Sequence, residues 1–240
     1  MDISIVIPAY NESKKIGIDI KAAAQFIKNN KLDGEIIVVD DGSQDSTAPV
    51  ARSTPISSSV KLKVLRFEKN LGKGMAVKTG IINSSGDVVL FADSGVCVPF
   101  SSSLAIINKI NSGEFDIALG SRKLKESKII RNRSWKRRLL SWLFRTVAIL
   151  FLGMPRNISD SQCGFKLYKG NTARKLFQKM KTTGYLFELE ILLRALKSGY
   201  RIKEFPVEWT CDLDTRLHPG REAFSLFREF FKVRKIINKL

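Results

Sequence analysis

The chain has 240 residues and a mass of 27.0 kDa, 44% of its residues are hydrophobic, and its formal net charge at pH 7 is +18. These totals allow the core of one domain or of two small ones and argue against a disordered or fibrous protein. The three cysteines are far apart and form no CxxC pair, and the only histidine is His218, so the composition argues against a disulfide framework, a structural zinc site and a two-histidine metal site.

The first ninety residues alternate short apolar runs with helical patterns. Runs rich in β-branched residues predict strands over 3–7, 35–39, 61–67 and 87–92, and apolar residues at helical spacing predict helices over 12–30, 47–52 and 74–82. This alternation predicts an α/β fold with a mostly parallel central sheet and helices on both faces. In such sheets ligands bind beyond the carboxyl ends of the strands, where the polar segments PAYNE, DDGSQD, LGKG and ADSG fall.

The second half of the chain is less regular. Its pattern predicts a strand over 116–120, a helix over 183–197, an edge strand over 202–209 that tolerates Pro206, and a C-terminal helix. We find no internal repeat and no composition shift typical of a linker. We therefore expect a single domain over 1–240.

The positive charge is concentrated in two segments. Residues 1–60 carry six bases and eight acids, residues 121–145 carry ten bases and the single acid Glu126, and residues 216–240 carry seven bases and two acids. Both basic segments interleave their charges with aromatic and aliphatic residues, as helices in a membrane interface do. Solvated helix faces and a nucleic-acid surface are the alternatives, and the bulky aliphatic residues favour lipid. The apolar run 139–152 is too short and too polar to span a bilayer.

Three carboxylates follow the second predicted strand in the segment DDGSQDST. Asp40, Asp41 and Asp45 can form a turn that caps the next helix, or can accept hydrogen bonds from the base or ribose of a nucleotide. The later segment LGKGMAVKTG is neither a complete Walker loop nor a GxGxxG motif, but its Lys73 can reach a nucleotide. The residues alone leave a structural turn and a nucleotide site both open.

Seven motifs resemble, in order and approximate spacing, those of the family 2 glycosyltransferases of GT-A fold. They are IVIPAYNE, VVDDGSQDST, NLGKGMAVKTG, GDVVLFADSG, GSR, ISDSQCGFKLY and FELEILLRA. The pattern of GSR, then RS, then D-x-QCGFKL is more specific to the branch that transfers a sugar from a nucleotide to a polyprenyl phosphate, typified by dolichyl-phosphate β-glucosyltransferases. The resemblance implies a nucleotide-sugar half over 1–95, an acceptor half over 96–220 and a basic amphipathic helix over 221–240.

The resemblance also implies which residues bind the donor. The positions that match the nucleotide site are Pro8, Ala9, Tyr10, Glu12, Asp40, Asp41 and Lys73. Asp93 matches the first acid of a motif that holds the ribose and a divalent metal, Mg²⁺ or Mn²⁺, beside the diphosphate. Gly95 stands where the family has the second acid, which is usually the main metal ligand, so Asp93 is the one metal ligand that the motif supplies here.

The acceptor residues follow from the later motifs. By resemblance, Arg122, Arg133 and Ser134 form the acceptor-phosphate site, and Arg216 is a basic residue on a mobile loop that neutralises the diphosphate. We assign Asp160 to positioning the acceptor or an arginine, with a role as catalytic base as the alternative.

The chemistry is consistent with these assignments. A diphosphate leaving group needs cations, and an acceptor phosphate is already an anion at neutral pH, so it needs an arginine fork more than a strong base. We predict an inverting hexosyltransferase that uses UDP-glucose or a related donor and a polyprenyl or dolichyl monophosphate, bound peripherally to the cytoplasmic face of an anionic membrane and to no nucleic acid. The alternatives are a family 2 transferase with a soluble or polysaccharide acceptor, and a catalytically silent nucleotide-sugar-binding protein.

Overall fold

Apolar runs in the sequence form the strands, and the helices lie between them. The computed structural model describes residues 1–130, 135–210 and 219–239, and their side chains outside 135–140 and 219–227. The strands are β1 (Ile3–Ala9), β2 (Gly34–Asp40), β3 (Lys61–Arg66), β4 (Val88–Ala92), β5 (Ile117–Ser121), β6 (Lys128–Ile129), β7 (Phe165–Lys169), β8 (Ile202–Pro206) and β9 (Glu208–Trp209). The helices are α1 (Ile16–Asn29), α2 (Thr47–Ser53), α3 (Lys73–Ile82), α4 (Leu104–Asn111), α5 (Trp135–Leu152), α6 (Gly170–Gln178), α7 (Phe187–Lys197) and α8 (Pro219–Ile237).

Seven strands form one sheet in the order β3-β2-β1-β4-β7-β5-β8. Neighbouring strands are parallel, except that β7 runs antiparallel to both β4 and β5. β6 and β9 form a separate parallel pair. The prediction of an α/β fold with a mostly parallel sheet is confirmed, and β8 lies at the sheet edge, where Pro206 is tolerated.

Alternate residues of β1 face opposite sides of the sheet. Ile3, Ile5 and Ile7 pack into a core that includes α1 and α4, and Val6 packs into a second core that includes α3, α6 and α7. Because helices cover both faces, the strand is an almost continuous apolar run. The parallel arrangement brings the carboxyl ends of β1, β2 and β4 to the same edge of the sheet.

Helices α5 and α8, which overlap the two basic segments, pack against each other. Phe144 of α5 contacts Phe230 of α8, and Phe151 contacts Phe231, at ring-centroid distances of 5.3 and 5.1 Å. The guanidinium carbon of Arg234 lies 4.3 Å from the centre of the Phe151 ring. Since Phe230 is also part of the second core, α8 is attached to the domain through apolar contacts.

Four elements were not predicted: α4, β6, β7 and α6. β7 has the sequence FKLYK, and its buried Lys166 interrupts the apolar run that a central strand usually shows. The strand predicted over 202–209 is divided at Val207 into β8 and β9. The helix predicted over 183–197 begins only at Phe187, because the carbonyl of Thr183 accepts the N–H of Gly74 in α3 and the N–H of Leu186 donates to Glu229 in α8.

Candidate active site

The loops that follow β1 and β2 are joined by hydrogen bonds. The backbone N–H of Asn11 donates to Ser43 Oγ at 2.8 Å, that of Gln44 donates to Asn11 Oδ1 at 2.8 Å, and that of Glu12 donates to Thr47 Oγ1 at 2.8 Å. These bonds place the first group of predicted donor residues beside the end of β2. That group is Pro8, Ala9, Tyr10 and Glu12.

Asp40 and Asp41 are both buried at the end of β2 and have different contacts. Asp40 Oδ1 accepts the N–H of Ser43 at 2.9 Å. Both oxygens of Asp41 accept backbone N–H groups of the loop before α3, from Leu71 at 2.7 Å and from Gly72 at 3.0 Å. Burial raises the pKa of Asp41. Its described contacts therefore position the loop that carries Lys73.

Lys73 and Asp93 form an ion pair at the carboxyl end of the sheet. Lys73 is the first residue of α3, Asp93 follows β4, and Lys73 Nζ lies 2.8 and 3.1 Å from the two carboxylate oxygens of Asp93. Burial alone would lower the pKa of Lys73, but the charges of Asp93 and Glu188 outweigh burial and raise it. Two predicted donor residues from different elements are thus in direct contact.

A second, deeper ion pair lies behind the first. Glu188 of α7 is 3.5 Å from Lys73 Nζ through Oε1, and its Oε2 contacts Nζ of Lys166 in β7. Both lysines also lie over the ring of Phe91, at 5.3 and 5.9 Å from its centre. Lys166 and Glu188 are buried, so each needs the other's charge. Asp93, Lys73, Glu188 and Lys166 form a continuous row of alternating charge, which we call the charge row.

The turn after Asp93 is held by an acid of α1 that the sequence patterns did not single out. Asp19 accepts hydrogen bonds from Ser94 Oγ at 2.6 Å and from the backbone N–H groups of Gly95 and Val96 at 2.8 and 2.9 Å. Burial raises the pKa of Asp19. Its only sequence signal is an acid placed on the apolar face of a helix, between Ile16 and Ile20.

Arg122 and Asp160 form the second half of the site. Arg122 follows β5, and its Nε and Nη2 donate to the two oxygens of Asp160 at 2.6 and 2.7 Å, while its backbone N–H donates at 3.0 Å. Burial opposes both charges, but the hydrogen bonds and charge of the partner outweigh it, so the pKa of Asp160 is lowered and that of Arg122 is raised. The bidentate geometry fixes the plane of the guanidinium.

Further side chains support this pair. Glu204 of β8 accepts the N–H groups of Ser159 and Asp160 at 2.9 and 2.7 Å. The guanidinium carbon of Arg122 lies 5.5 Å from the centre of the Trp209 ring. Glu204 was not among the predicted site residues, because an acid within the alternating pattern of an edge strand resembles a solvent-facing residue.

The segment before β7 connects the two halves. Gly164 contacts Asp93 so closely that an added Cβ would lie 1.9 Å from Asp93 Oδ2, and its carbonyl accepts the N–H of Asp93 at 2.8 Å. Its neighbour Cys163 is buried, and its Sγ lies 3.5 Å from the position that a Cβ on Gly120 would take. Burial raises the pKa of the Cys163 thiol to about 12, which is unsuitable for a nucleophile. Because β4 and β5 flank β7, Asp93 after β4 and Arg122 after β5 lie on either side of this segment.

Three predicted site residues lie outside the described part of the chain. They are Arg133, Ser134 and Arg216. Among the residues that are described, no three His, Cys, Asp or Glu side chains are grouped so that they could hold a metal ion.

Comparison with known proteins assigns the family. Residues 4–177 match the family model described as Glycosyl transferase family 2. The chain is 33% identical over 242 residues to a dolichyl-phosphate beta-glucosyltransferase of Dictyostelium discoideum, with 97% of this chain and 73% of the relative covered. It is 34% identical to the Homo sapiens dolichyl-phosphate beta-glucosyltransferase, with 97% and 74% covered. The chain belongs to the family 2 glycosyltransferases.

Solved structures show the same fold at lower identity. Mannosyl-3-phosphoglycerate synthase from Rubrobacter xylanophilus has a TM-score of 0.69 at 19% identity and covers 100% of this chain and 76% of its own. Glucosyl-3-phosphoglycerate synthase from Mycobacterium tuberculosis, in a complex with Mn²⁺, UDP-Glc and phosphoglyceric acid, has a TM-score of 0.66 at 20% identity and covers 99% and 80%. These similarities establish the GT-A type of fold.

Proposed function

We propose that this protein transfers a hexose, glucose in the first instance, from a UDP-linked donor to a polyprenyl or dolichyl monophosphate at a membrane surface. One observation carries the proposal: Asp93 follows β4 and Arg122 follows β5, the two strands that flank β7, so the two ion pairs lie at neighbouring places on one edge of the sheet. A cationic group for an acceptor anion thus lies beside one for a donor diphosphate. Identity of one third to dolichyl-phosphate beta-glucosyltransferases over both halves supports the choice of acceptor.

The proposed role of Arg122 follows from its geometry. The hydrogen bonds to Asp160 use Nε and Nη2, so Nη1 is the side of the fork that we assign to the acceptor phosphate. Asp160 then acts as a positioning residue, because its pKa is lowered and the phosphate needs no strong base. We retain Arg133 and Ser134 as acceptor residues and Arg216 as a diphosphate residue, on the resemblance alone.

The donor residues are assigned in the same way. Pro8, Ala9, Tyr10, Glu12 and Asp40 are proposed to enclose the nucleotide, and Lys73 to approach the diphosphate. Asp41 is proposed to act through the loop that it holds at Leu71 and Gly72. Charged side chains aimed at a developing diphosphate stabilise the leaving group most when they are already in place before the reaction.

The resemblance implies a divalent metal at Asp93, and the similar mycobacterial enzyme was solved with Mn²⁺. The described residues do not fit a site with two motif acids. Gly95 replaces the second acid, Ser94 Oγ donates to Asp19, and Lys73 Nζ contacts both oxygens of Asp93. The assignment of Asp93 as a metal ligand rests on the resemblance alone.

The proposed membrane surface consists of α5 and α8. Trp142, Leu143 and Leu150 of α5 are exposed, Leu150 to 76%, and Phe231 of α8 is also exposed. Lys232, Lys235 and Lys239 of α8 line a cavity of about 450 Å³ with Lys179, Lys181 and Arg194. Apolar side chains next to lysines match an anionic lipid interface. In the described residues, no helix has the length and apolarity needed to cross a bilayer. The cytoplasmic face stays a prediction.

A donor and acceptor screen tests the proposal. The purified chain is incubated with UDP-glucose or GDP-mannose and a polyprenyl phosphate, and release of nucleoside diphosphate is measured with Mg²⁺, with Mn²⁺ and with EDTA. We expect turnover with UDP-glucose and the lipid phosphate. Turnover with 3-phosphoglycerate and none with the lipid would select the soluble-acceptor alternative, and donor binding without any turnover would select the silent protein.

The variant Arg122→Lys tests the acceptor site in the same assay. Lysine keeps the charge but lacks the planar fork, so we expect kcat/KM for the lipid phosphate to fall by about tenfold or more. The affinity for UDP serves as the control and should not change. Equal loss of UDP affinity would assign Arg122 to the donor.

A further inference from the structure

The cation closest to Asp93 in the described structure belongs to the protein itself. Lys73 Nζ contacts both carboxylate oxygens, at 2.8 and 3.1 Å. The two side chains are partly open to solvent, 25% for Lys73 and 38% for Asp93. A partly exposed lysine ammonium therefore lies in the outer half of the charge row, next to Asp93, at the edge of the sheet where α/β proteins bind their ligands.

The rest of the charge row holds this cation in place. Glu188 lies 3.5 Å from Lys73 Nζ on one side and contacts Lys166 on the other, and both Glu188 and Lys166 are sealed from solvent. The inner pair cannot readily be screened or rehydrated. Lys73 is thus fixed from below by Glu188 and from the side by Asp93, and a lysine ammonium has three donors, which is enough for a further oxygen ligand.

The turn after Asp93 is built for something other than a second acidic ligand. Gly95 has a φ of 104°, a conformation that a residue with a side chain rarely adopts, and its N–H donates to Asp19. Val96 has a φ of 45° and its N–H also donates to Asp19, whose other oxygen accepts Ser94 Oγ. The whole turn is therefore tied to α1, and an aspartate at position 95 would strain it.

We propose that the Lys73 ammonium, held by Asp93 and Glu188, is the resident cation that binds the donor diphosphate, and that the enzyme turns over without a divalent metal. This inference rests on the proposed function. In the transfer, the bond between the anomeric carbon and the diphosphate oxygen breaks and its electron pair leaves with the diphosphate. An oxygen lone pair of the acceptor phosphate forms the new bond. Lys73 stabilises the added negative charge and transfers no proton.

Metal dependence and donor affinity are measured on the full chain. Turnover and the calorimetric Kd for UDP are compared in EDTA, Mg²⁺ and Mn²⁺, and free Mn²⁺ is followed by electron paramagnetic resonance. We expect both quantities to change by less than about twofold between EDTA and metal, and the protein with UDP to retain no Mn²⁺. In other proteins one carboxylate and a diphosphate can hold Mg²⁺, so turnover that depends on metal is the opposite outcome of this experiment. Turnover only with metal, or Mn²⁺ retained with UDP, overturns the inference.

Substitutions of Lys73 distinguish the loss of its positive charge from the loss of the folded structure. Lys73→Met should weaken UDP binding in EDTA by about tenfold or more, and Lys73→Arg, which keeps the charge, should weaken it less. Lys78→Met is the matched control, since Lys78 lies on the same helix and donates to the carbonyls of Gln178 and Met180. Circular dichroism identifies a variant that fails to fold.

The experiments distinguish a failure of the proposed function from a failure of the role proposed for Lys73. If no donor and acceptor pair reacts, the proposed function fails, while the UDP affinities still test Lys73. Equal UDP affinity in Lys73→Met, Lys73→Arg and Lys78→Met, all folded, contradicts the role of Lys73 even if the enzyme is active.

Discussion

Single residues of the site show two ways of holding a carboxylate. Asp160 is buried and meets Arg122 in a bidentate ion pair, whereas Asp93 is partly exposed and packs against the bare Cα of Gly164. The position of Asp160 depends on the charge of Arg122, and the position of Asp93 depends on the space that the missing side chain of Gly164 leaves. Each dependence gives a prediction.

Asp160→Asn should lower the free energy of unfolding by about 3 kcal/mol at pH 7, because it breaks a buried ion pair. The folded-state pKa of Asp160 is lowered, so its contribution is complete above the pKa of an unfolded carboxyl group, about 3.9, and is lost as the pH falls through the lower folded value. The difference in the free energy of unfolding between wild type and Asp160→Asn should therefore become smaller only at acidic pH. Denaturant unfolding over a pH series measures it.

Asp116→Asn is the control for this series. Asp116 pairs with the more exposed Arg201 at 3.4 Å, and such pairs contribute about 1 kcal/mol or less. Equal losses in the two variants would contradict the special role of the buried pair.

Gly164→Ala should displace the Asp93 carboxylate, because the added Cβ would lie 1.9 Å from Oδ2. We expect UDP affinity to fall by about tenfold and stability by about 1 to 3 kcal/mol. Calorimetry with UDP measures the first and denaturant unfolding the second. In the control Gly17→Ala the nearest atom is Thr54 Oγ1 at 3.3 Å, far from Asp93 in the sequence, so UDP affinity should stay near wild type. Unchanged affinity in folded Gly164→Ala would remove Asp93 from the donor site.

At the scale of elements, two glutamates of α7 hold different parts of the structure in place. Glu188 and Glu190 are two residues apart and so point in different directions from the helix. Glu188 belongs to the charge row, whereas Glu190 accepts the N–H groups of Lys181 and Thr182 and the Nε of Arg194. The loop held by Glu190 includes Thr183, whose carbonyl accepts the N–H of Gly74 in α3 at 2.8 Å. α7 thus supports the helix that carries Lys73.

Glu190→Ala should destabilise the protein by about 3 kcal/mol, because it leaves two backbone N–H groups and an arginine without their acceptor. Glu190→Gln keeps one oxygen and should cost less. Denaturant unfolding gives the free energies, and hydrogen exchange should accelerate at Lys181 and Thr182. The control Glu114→Ala removes an exposed acid and should change little. Unaltered exchange at the two amides in Glu190→Ala would contradict this role.

For the molecule as a whole, the net charge of +18 is unevenly distributed. The N-terminal segment is slightly acidic, and the structure gathers lysines from α8 and from the loop before α7 around one cavity. Attraction to an anionic surface is strongest within a Debye length, about 8 to 10 Å at physiological salt. The asymmetry therefore favours one orientation on a membrane.

Replacing Lys232, Lys235 and Lys239 by Glu should weaken binding to vesicles that contain phosphatidylglycerol, by about 1 kcal/mol or more per site. Flotation at low and high salt measures this, and wild-type binding should also fall with salt. Changing the exposed Lys21, Lys28 and Lys61 to Glu alters the net charge equally and serves as the control. Equal losses in the two triple variants would mean that net charge, and not this surface, governs binding.

Much of the fold was predictable because its signals are local. The apolar runs of β1, β2 and β4 and the spacing of α1 and α3 identify these elements within a few residues, and the polar segments at the strand ends identify the site region. β7 was not predictable in this way. Its Lys166 is compatible with a buried strand only because Glu188, distant in sequence, supplies the opposite charge.

The sequence by itself determined the fold class, the family motifs and the concentration of charge in two segments, because each depends on residues close together in the chain. Only the tertiary structure decided that β7 runs antiparallel between β4 and β5, that Asp19 holds the turn after Asp93, and that Gly164 packs against Asp93. These features depend on contacts between residues that are distant in the sequence. The contacts offset the free-energy cost of burying charged groups, and a local sequence pattern does not reveal them.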